Sequence, residues 1–415
     1  MIDLGLVRTS KLIRQTPQTW KAIHVAGTNG KGSICAYLSA MFTACGIRCG
    51  RFSSPHLMDR WDGISIEGYP VRKSVFIDCE KVIVHRCKTE DIKATEFEIL
   101  TATAFEAFAR EKIEMGIIEV GLGGRLDSTN TLKNKEVTII SKIGLDHQSI
   151  LGNTIEEIAL EKAGIMKANV PCVIDRTNET SVRKVIEDYA KKIGTQVIPS
   201  STDATFFQDL PTQNFEPHQV ENLACAYTAF LIAYKNAESP LHRLLPAVLS
   251  MQNPGRLQLL DIKSIAGREE KVLLDGAHNI QSAKVLSSYV EKNLRRPNCN
   301  VTWVVAASHG KDLEAMMGTM LKPGDDLVAV KFHPVDRMPW VRSMEPEDIL
   351  SVAHSLGINS ASTKPDLLSG LRCAAHKANG APMVIAGSLY LVSDVLKLLR
   401  DEARTSRFID VKDSF

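Results

Sequence analysis

Residues 21–45 read KAIHVAGTNGKGSICAYLSAMFTAC, and the order of elements within them decides the fold. The short apolar run Lys21–Ala26 predicts a strand, and Ile34–Cys45 has the length and apolar content of a helix. Between them lies the glycine-rich segment Gly27–Ser33. A strand, a glycine-rich turn and a helix in this order are typical of an α/β domain that binds phosphate groups.

Two side chains in this segment favour a phosphate ligand. The glycines let the backbone approach phosphate oxygens closely, and the following helix points N–H groups and a partial positive charge toward them. Lys31 would add a full charge, and Ser33 would offer a hydroxyl to a magnesium ion. A glycine separates Lys31 from Ser33, so the strict P-loop spacing is not met, and a ligand-free turn is the alternative.

Strands and helices continue to alternate along the chain, which predicts an α/β fold with a mostly parallel sheet. Asn253-Pro254-Gly255 is the strongest breaker in the second half, and the alternation restarts after it. We therefore predict two domains, residues 1–255 and 256–415, with a surface loop at Ser201–Pro217. The other predicted strands are Met115–Val120, Val137–Gly144, Val272–Leu274, Val301–Ala306, Leu327–Phe332 and Met383–Ala386. The predicted helices include Glu96–Glu111, Asn153–Met166, His218–Asn236 and Pro240–Met251, and a strand, a helix and a strand are expected within Pro171–Ser200.

Composition excludes several classes of protein. The chain has 415 residues, 50 basic and 48 acidic side chains and a net charge of +2. This balance gives no electrostatic basis for a nucleic-acid or membrane surface, so neither partner is expected. The nine cysteines include no CxxC pair, which disfavours a zinc ribbon or a disulfide scaffold. The first residues resemble neither a signal peptide nor an amphipathic mitochondrial leader, so a cytoplasmic location is expected and a mitochondrial one stays open.

A second motif, residues 118–130, reads IEVGLGGRLDSTN. Glu119 closes an apolar strand, where a buried carboxylate is costly unless it holds a cation such as magnesium. The glycines allow a ligand to approach the backbone, and Arg125 and Asp127 would point into the site. The alternative is a charged strand end followed by a solvated loop.

Further polar residues follow predicted strands, at the place where open α/β sheets bind ligands. Asp146 and His147 are one such pair, while Lys162 lies late in a helix, where a lysine already suits the helix dipole. Taken alone, a structural His147 and a solvated Lys162 are the simpler interpretations. In the second domain, LDGAHN at 274–279, SHGKD at 308–312 and GSLY at 387–390 repeat the strand–turn–helix placement, with helix capping by Ser388 as the simpler alternative.

Together and in this order, the motifs resemble the folylpolyglutamate synthase and dihydrofolate synthase family, a branch of the Mur ligases. GTNGKGS is shared with Mur ligases generally, whereas EVGLGGRLD and DGAHN are specific to the folate branch. MPW at 338–340, SHGKDLEAM at 308–316 and GSLYL at 387–391 are most similar to the fungal monofunctional enzymes. The resemblance implies a P-loop ATPase domain that also holds pteroate. A smaller Rossmann-like α/β domain would close over ATP and bind glutamate.

The resemblance also implies site residues. The implied catalytic residues are Lys31, His147, Lys162, Asp275 and His278. ATP would be bound by Thr28, Asn29, Gly30, Lys31, Gly32 and Ser33, with Asn222, Arg256, Asp275 and His278 closing over it from the second domain. Magnesium ligands would be Ser33, Ser54, Glu119, His147 and Lys162, a lysine that is carbamylated in this family. Pteroate would be lined by Thr95, Glu96, Phe97, Glu98, Leu126, Asp127 and Ser128, and glutamate by Ser308, His309, Lys311 and Ser388.

The implied reaction joins L-glutamate to 7,8-dihydropteroate at the expense of ATP, through an acyl phosphate. The resemblance implies two magnesium ions and a monomer, and leaves a monovalent cation open. Folylpolyglutamate synthase, which adds glutamate to a folate, is the first alternative. A nucleotide-binding protein that has lost ligation is the second, and the presence of Glu119, His147 and Lys162 argues against it.

Overall fold

The computed structural model describes residues 3–211, 215–234, 241–251, 253–297 and 299–412. The chain divides into two compact units, Met1–Gln252 and Asn253–Phe415. The division lies next to Asn253-Pro254-Gly255, where the sequence placed its boundary. Within the described ranges, none of the helices has the length and apolarity that crossing a bilayer requires.

Unit 1 is an α/β domain with helices on both faces of one sheet. Its described strands are β1 Lys21–Ala26, β2 Cys49–Phe52, β3 Ile64–Ile66, β4 Tyr69–Pro70, β5 Met115–Glu119, β6 Lys135–Ile140, β7 Cys172–Ile174 and β8 Val197–Pro199. Its helices are α1 Val7–Leu12, α2 Lys31–Ala44, α3 Lys73–Thr89, α4 Glu96–Arg110, α5 Gln148–Leu151, α6 Ile155–Ala163, α7 Thr180–Ile193, α8 Thr205–Gln208, α9 Pro217–Ala233 and α10 Leu241–Ser250.

The sheet of unit 1 has the strand order β4-β3-β2-β5-β1-β6-β7-β8. The strands from β2 to β8, apart from β3 and β4, pair in parallel, and β3 and β4 are antiparallel additions at one edge. The prediction of a mostly parallel sheet is therefore confirmed. Because parallel strands end at one edge, the loops that follow β2, β5, β1 and β6 lie side by side.

Two predictions in unit 1 need correction. The loop predicted at Ser201–Pro217 contains the one-turn helix α8, because Phe206 and Phe207 are buried and stack around Tyr227. A single turn is too short to show helical periodicity. The strand predicted at Val137–Gly144 ends at Ile140 because the next residues leave the sheet and pair with the glycine-rich turn of residues 27–30.

Unit 2 is a second α/β domain. Its described strands are β9 Gln258–Leu260, β10 Val272–Leu274, β11 Thr302–Val305, β12 Asp326–Ala329, β13 Ser360–Thr363 and β14 Met383–Ala386. Its helices are α11 Lys263–Ala266, α12 Ile280–Asn293, α13 Leu313–Met320, α14 Pro346–Ser355, α15 Leu367–Ala378 and α16 Leu389–Lys412. The order is β13-β12-β11-β14-β10-β9, and only β9 pairs antiparallel among these strands. The loops after β11, β14 and β10 therefore share one edge.

A buried carboxylate holds the opposite edge of this second sheet together. Asp325, which precedes β12, accepts two hydrogen bonds from Arg295 at 2.7 and 2.9 Å and one from Trp303 Nε1 at 3.0 Å. Burial alone would raise the pKa of Asp325. The hydrogen bonds from Arg295 and from the backbone amides of Lys322 and Val301 outweigh burial and lower that pKa.

Asp325→Ala should lower the free energy of unfolding by about 3–5 kcal/mol, because it leaves the Arg295 guanidinium without its buried partner. Urea unfolding followed by tryptophan fluorescence measures the change. Asp326→Ala is the matched control, since its carboxylate accepts a hydrogen bond from the exposed hydroxyl of Ser360, and it should cost less than about 1.5 kcal/mol. Equal losses in the two variants would contradict the role assigned to Asp325.

Candidate active site

The glycine-rich turn connects β1 to α2, and α2 begins at Lys31. The first N–H groups of a helix have no acceptor inside the helix, and Gly30, at the N-cap, has no side chain to offer one. Lys31 Nζ donates to the carbonyl of Thr28 at 3.1 Å, so its ammonium lies back over the turn. Helix N–H groups and an ammonium around one turn form a binding site for an anion such as a phosphate.

Asn222, from α9, contacts this turn. Gly30 has a left-handed backbone with φ of +90°, and a Cβ built on it would lie 2.1 Å from Asn222 Oδ1. A larger residue would have to displace the Asn222 side chain and adopt a left-handed backbone, which is costly for a residue with a Cβ. The prediction that Asn222 approaches from the second domain is wrong, because α9 belongs to unit 1 and shares a hydrophobic core with α2.

Three predicted metal ligands follow neighbouring strands at the same edge. Ser54 follows β2, Glu119 ends β5 and His147 follows β6. Glu119 is 6% exposed, and its Oε2 lies 3.5 Å from the position that a Cβ on Gly32 would occupy. His147 is more open, with 46% of its side chain exposed, and its backbone N–H donates to Asp146 at 2.9 Å. The sheet thus places a buried carboxylate next to the first turn of α2.

The donor chemistry fits magnesium better than a transition metal. Among the described residues, no group of three or more His, Cys, Asp or Glu side chains is arranged to hold a metal ion. Ser33, Ser54, Glu119 and His147 instead offer hydroxyls, one carboxylate and one imidazole. Magnesium is commonly bound by one or two carboxylates, with substrate phosphates and waters as its other ligands. These residues therefore suit a metal ion that arrives with a nucleotide.

Lys162 is a strongly perturbed group at this edge. Its side chain is buried in the last turn of α6, and Nζ donates to the carbonyl of Gly27 at 2.8 Å. Burial, the largest cause, and repulsion from Lys31 lower the pKa of Lys162 to about 7, although Asp146 and Asp127 act in the opposite direction. A solvated lysine, the simpler sequence interpretation, is therefore excluded.

The lowered pKa changes what Lys162 can do chemically. A large fraction of its amine is uncharged near neutral pH, and an uncharged amine is a nucleophile. Asp146, whose side chain is 11% exposed, is a neighbour to which the sequence analysis assigned no role. Its position directly after a predicted strand was the only signal for it.

Four of the predicted pteroate residues form side-chain hydrogen bonds within unit 1. Thr95 caps α4 and forms a reciprocal capping box with Glu98, whose carboxylate also accepts from Arg8 Nε at 2.9 Å. Asp127 is fully buried and accepts from the backbone of Leu122 and Thr129, and Ser128 Oγ lies 2.7 Å from Thr101 Oγ1. With these bonds made, the four side chains are held within unit 1. Of the same set, Glu96, Phe97 and Leu126 are partly exposed.

The end of β10 carries the nucleotide candidates of unit 2. Asp275 is 7% exposed and accepts from the backbone N–H groups of Leu257 and Ala277, both at 2.8 Å. Burial raises the pKa of Asp275, and Arg256 opposes that rise. His278 Nδ1 lies 2.8 Å from the carbonyl of Gly276, which can only accept, so Nδ1 carries the proton.

The predicted glutamate residues lie at the same edge of the second sheet. Ser308, His309 and Lys311 follow β11, and Ser388 follows the adjacent strand β14. His309 is exposed, whereas Ser388 is buried and accepts from the backbone N–H of Tyr390 at 3.1 Å. The capping interpretation of Ser388 thus describes its observed bond. The other three remain candidates for a ligand.

Comparison with known proteins identifies two family domains. The Mur ligase middle domain matches residues 25–237, and the C-terminal domain of dihydrofolate synthetase matches residues 258–398. The probable dihydrofolate synthetase of Schizosaccharomyces pombe is 36% identical over 96% of this chain and 99% of its own length. The dihydrofolate synthetase of Saccharomyces cerevisiae is 35% identical over 97% of this chain and 99% of its own length. The probable folylpolyglutamate synthase of the same yeast is 25% identical over 91% and 92%.

Solved structures share the fold over both units. FolC of Escherichia coli, in complex with DHPP and ADP, superposes with a TM-score of 0.82 at 25% identity over 97% of this chain and 94% of its own. A bifunctional folylpolyglutamate synthase/dihydrofolate synthase with Mn, AMPPNP and L-glutamate bound has a TM-score of 0.80 at 25% identity, over 96% and 95%. The α/β architecture expected from the sequence is therefore confirmed.

Gly30→Ala should weaken binding of magnesium–ATP at least tenfold, about 1.4 kcal/mol. The left-handed backbone at residue 30 costs about 1–2 kcal/mol for a residue with a Cβ, and the new methyl group would displace Asn222. Isothermal titration calorimetry measures the affinity. Gly46→Ala is the matched control, because Gly46 also has a positive φ, +75°, but nothing lies within 4 Å of its Cβ position. Unchanged affinity in Gly30→Ala would contradict the assigned site.

Proposed function

Because the chain belongs to the folylpolyglutamate synthase and dihydrofolate synthase branch of the Mur ligase family, we propose that it joins L-glutamate to 7,8-dihydropteroate. The reaction consumes ATP and yields 7,8-dihydrofolate, ADP and phosphate. The observation that carries this proposal is the likeness to dihydrofolate synthetases over 96% and 97% of the chain. The phosphate-binding turn and the buried amine beside it supply the chemistry that such a ligase needs.

Dihydropteroate is favoured over a folate acceptor by the two yeast relatives. Identity to the dihydrofolate synthetase of Saccharomyces cerevisiae is 35%, against 25% for the folylpolyglutamate synthase of that organism. A chain that added glutamate to a folate would be expected to be more similar to the folylpolyglutamate synthase. The match of residues 258–398 to the C-terminal domain of dihydrofolate synthetase points the same way.

We assign ATP to the turn between β1 and α2. Thr28, Asn29, Gly30, Lys31, Gly32 and Ser33 would contact its phosphates. The N–H groups of α2 and the Lys31 ammonium would offset the negative charge of the transferring phosphoryl group. Asn222 would support this turn from α9. Arg256, Asp275 and His278 remain predicted ATP-binding residues on the strength of their motif.

Divalent metal would be held by oxygen donors at the same edge. Ser33, Ser54, Glu119 and His147 are the proposed ligands, and two magnesium ions are proposed, with a monovalent cation left open. When bound, magnesium screens charge on the phosphate oxygens and orients them. Glu119 supports this assignment because its buried carboxylate lies beside the first turn of α2, where the phosphates would bind.

Lys162 is proposed to act as a carbamate. An uncharged amine adds to carbon dioxide, and loss of one proton gives a carbamate anion, which turns a cation into a carboxylate-like oxygen ligand. The burial of Lys162 and its pKa of about 7 favour the uncharged amine that this addition needs. The modification would also remove the repulsion between Lys162 and Lys31.

The remaining steps are the transfer of a phosphoryl group and the formation of the amide. The carboxylate oxygen of dihydropteroate attacks the γ-phosphorus of ATP, and ADP leaves with the electron pair of the broken bond. The amine of glutamate then attacks the acyl carbon, phosphate leaves, and the amine loses a proton to give the amide. Lys31 stabilises charge in the first step, and an acyl phosphate must be shielded from water until the second. We propose that a monomer carries out both steps.

The proposal keeps only some of the predicted substrate contacts. Glu96, Phe97 and Leu126 stay as pteroate contacts because they are partly exposed, while Thr95, Glu98, Asp127 and Ser128 shape the surrounding loops. Ser308, His309 and Lys311 stay as contacts for the glutamate carboxylates, with Ser388 as a helix cap beside them.

Purified protein with magnesium–ATP and L-glutamate should release ADP when dihydropteroate is added and should form dihydrofolate, identified by mass spectrometry. Tetrahydrofolate offered in its place should give no added glutamate. Glutamate added to tetrahydrofolate would instead favour folylpolyglutamate synthase. ATP binding without turnover of either substrate would favour a nucleotide-binding protein that has lost ligation.

Lys162→Gln should lower kcat about 100- to 1000-fold, the cost of losing one stabilising group around a developing charge. Lys167→Gln, an exposed lysine just beyond the same helix, should leave kcat unchanged. A similar loss in both variants would contradict the role of Lys162.

Carbamate formation on Lys162 should follow the pKa of its amine. The folded pKa is lowered to about 7, so the uncharged fraction rises as pH increases through 7. At fixed dissolved ¹³CO₂, the ratio of carbamate to unmodified amine, followed by ¹³C NMR, should rise about 100-fold per pH unit below about pH 7, where two protons are released, and about tenfold per pH unit above it, where one is released. A rise that is still about 100-fold per pH unit at about pH 9 would indicate an ordinary lysine.

A further inference from the structure

The helix that carries Lys162 ends in carbonyl groups that need partners from outside the helix. At the end of α6, the carbonyls of Leu160, Lys162 and Ala163 accept from backbone N–H groups of the turn that follows. Three further carbonyls accept from a different part of unit 1. These bonds are Arg125 N to Glu161 O at 2.8 Å, Asn130 Nδ2 to Gly164 O at 3.1 Å and Lys135 Nζ to Ile165 O at 2.7 Å.

Lys135 and Asn130 form one connected unit. Lys135, the first residue of β6, is 7% exposed and also donates to Asn130 Oδ1 at 2.7 Å. Asn130 is 5% exposed and also donates to the carbonyl of Arg125 at 3.0 Å. Burial lowers the pKa of Lys135 well below its ordinary value. Neither side chain has a part in the proposed reaction, so their burial needs another explanation.

The loop of residues 121–130 also packs closely against the end of α6. A Cβ built on Gly124 would lie 2.9 Å from the carbonyl oxygens of both Glu161 and Lys162. A residue with a side chain at position 124 would therefore push the helix end away from the loop. The hydrogen bonds from Asn130 and Lys135 oppose movement of the helix end away from the loop.

We propose that Lys135 and Asn130 are positioning residues that hold the end of α6 so that Lys162 Nζ stays beside the phosphate-binding turn. This inference rests on the proposed function of Lys162. Lys162 Nζ reaches the turn through the hydrogen bond that it donates to Gly27 O at 2.8 Å. Displacing the helix end by about 1 Å would misplace the amine relative to the turn, and errors of that size cost about 100-fold in rate.

Lys135→Met tests the proposal because it removes the hydrogen-bonding amino group and keeps a side chain of similar length. It should lower kcat about 10- to 100-fold, as loss of a residue that orients a ligand does. The KM for ATP should stay near that of the wild type, since the phosphate-binding turn is intact. The ¹³C carbamate signal of Lys162 under ¹³CO₂ should fall in proportion to kcat. Asn130→Ala, which removes the second link, should reproduce both changes.

The matched control is Lys133→Met, the same substitution at an exposed lysine two residues earlier in the chain. It should leave kcat and the carbamate signal unchanged. Circular dichroism and thermal unfolding report whether each variant is folded. A folded Lys135→Met or Asn130→Ala with wild-type kcat and carbamate signal would overturn the proposal. Loss of folding in both would also overturn it, because the network would then serve stability alone.

Failure of the proposed function gives a different result. In that case wild-type protein itself shows no ligation of glutamate, whatever the variants do. A wild type that ligates glutamate but shows no carbamate would remove the modification from the account. The kcat of Lys135→Met against Lys133→Met would then still decide whether the network positions Lys162.

Discussion

The hydrogen bond from Lys162 to the carbonyl of Gly27 is the contact on which the rest of the site depends. It joins the end of α6 to the first residue after β1, so the helix and the phosphate-binding turn keep one relative position. It also keeps the amine buried, and burial is the main reason that its pKa falls to about 7. A solvent-exposed lysine would be charged at neutral pH and would repel Lys31.

The parallel sheet explains why these groups meet at all. Ser54, Glu119 and the residues around His147 follow strands that flank β1 or lie one strand further along. Each side chain therefore reaches the same edge although the residues are far apart in sequence. Unit 2 repeats the arrangement with Asp275, Ser308 and Ser388. Several of the catalytic candidates lie in loops that follow strands, whereas Lys31 and Lys162 lie on helices α2 and α6.

The sequence predicted the elements that local chemistry determines. The strand Lys21–Ala26, the helix after the glycine-rich turn and the break near Pro254 each follow from nearby residues. Contacts between distant segments were not predictable. Asn222 lies against Gly30, and Lys135 donates a hydrogen bond to Ile165. Local patterns in the sequence carry no information about contacts between residues so far apart in the chain. Burial was equally hidden, since nothing near Lys162 or Asp127 in the sequence shows that tertiary packing removes them from water. The hydrogen bonds that hold Thr95, Glu98, Asp127 and Ser128 within unit 1 were hidden in the same way.

The central claim is that this chain activates the carboxylate of dihydropteroate as an acyl phosphate, and isotope transfer tests it most directly. Dihydropteroate labelled with ¹⁸O in both carboxylate oxygens would be converted in unlabelled water with ATP and glutamate. The account predicts one ¹⁸O atom in each phosphate released, because the leaving phosphate carries the oxygen that bridged carbon and phosphorus. Unlabelled phosphate released together with dihydrofolate would contradict it.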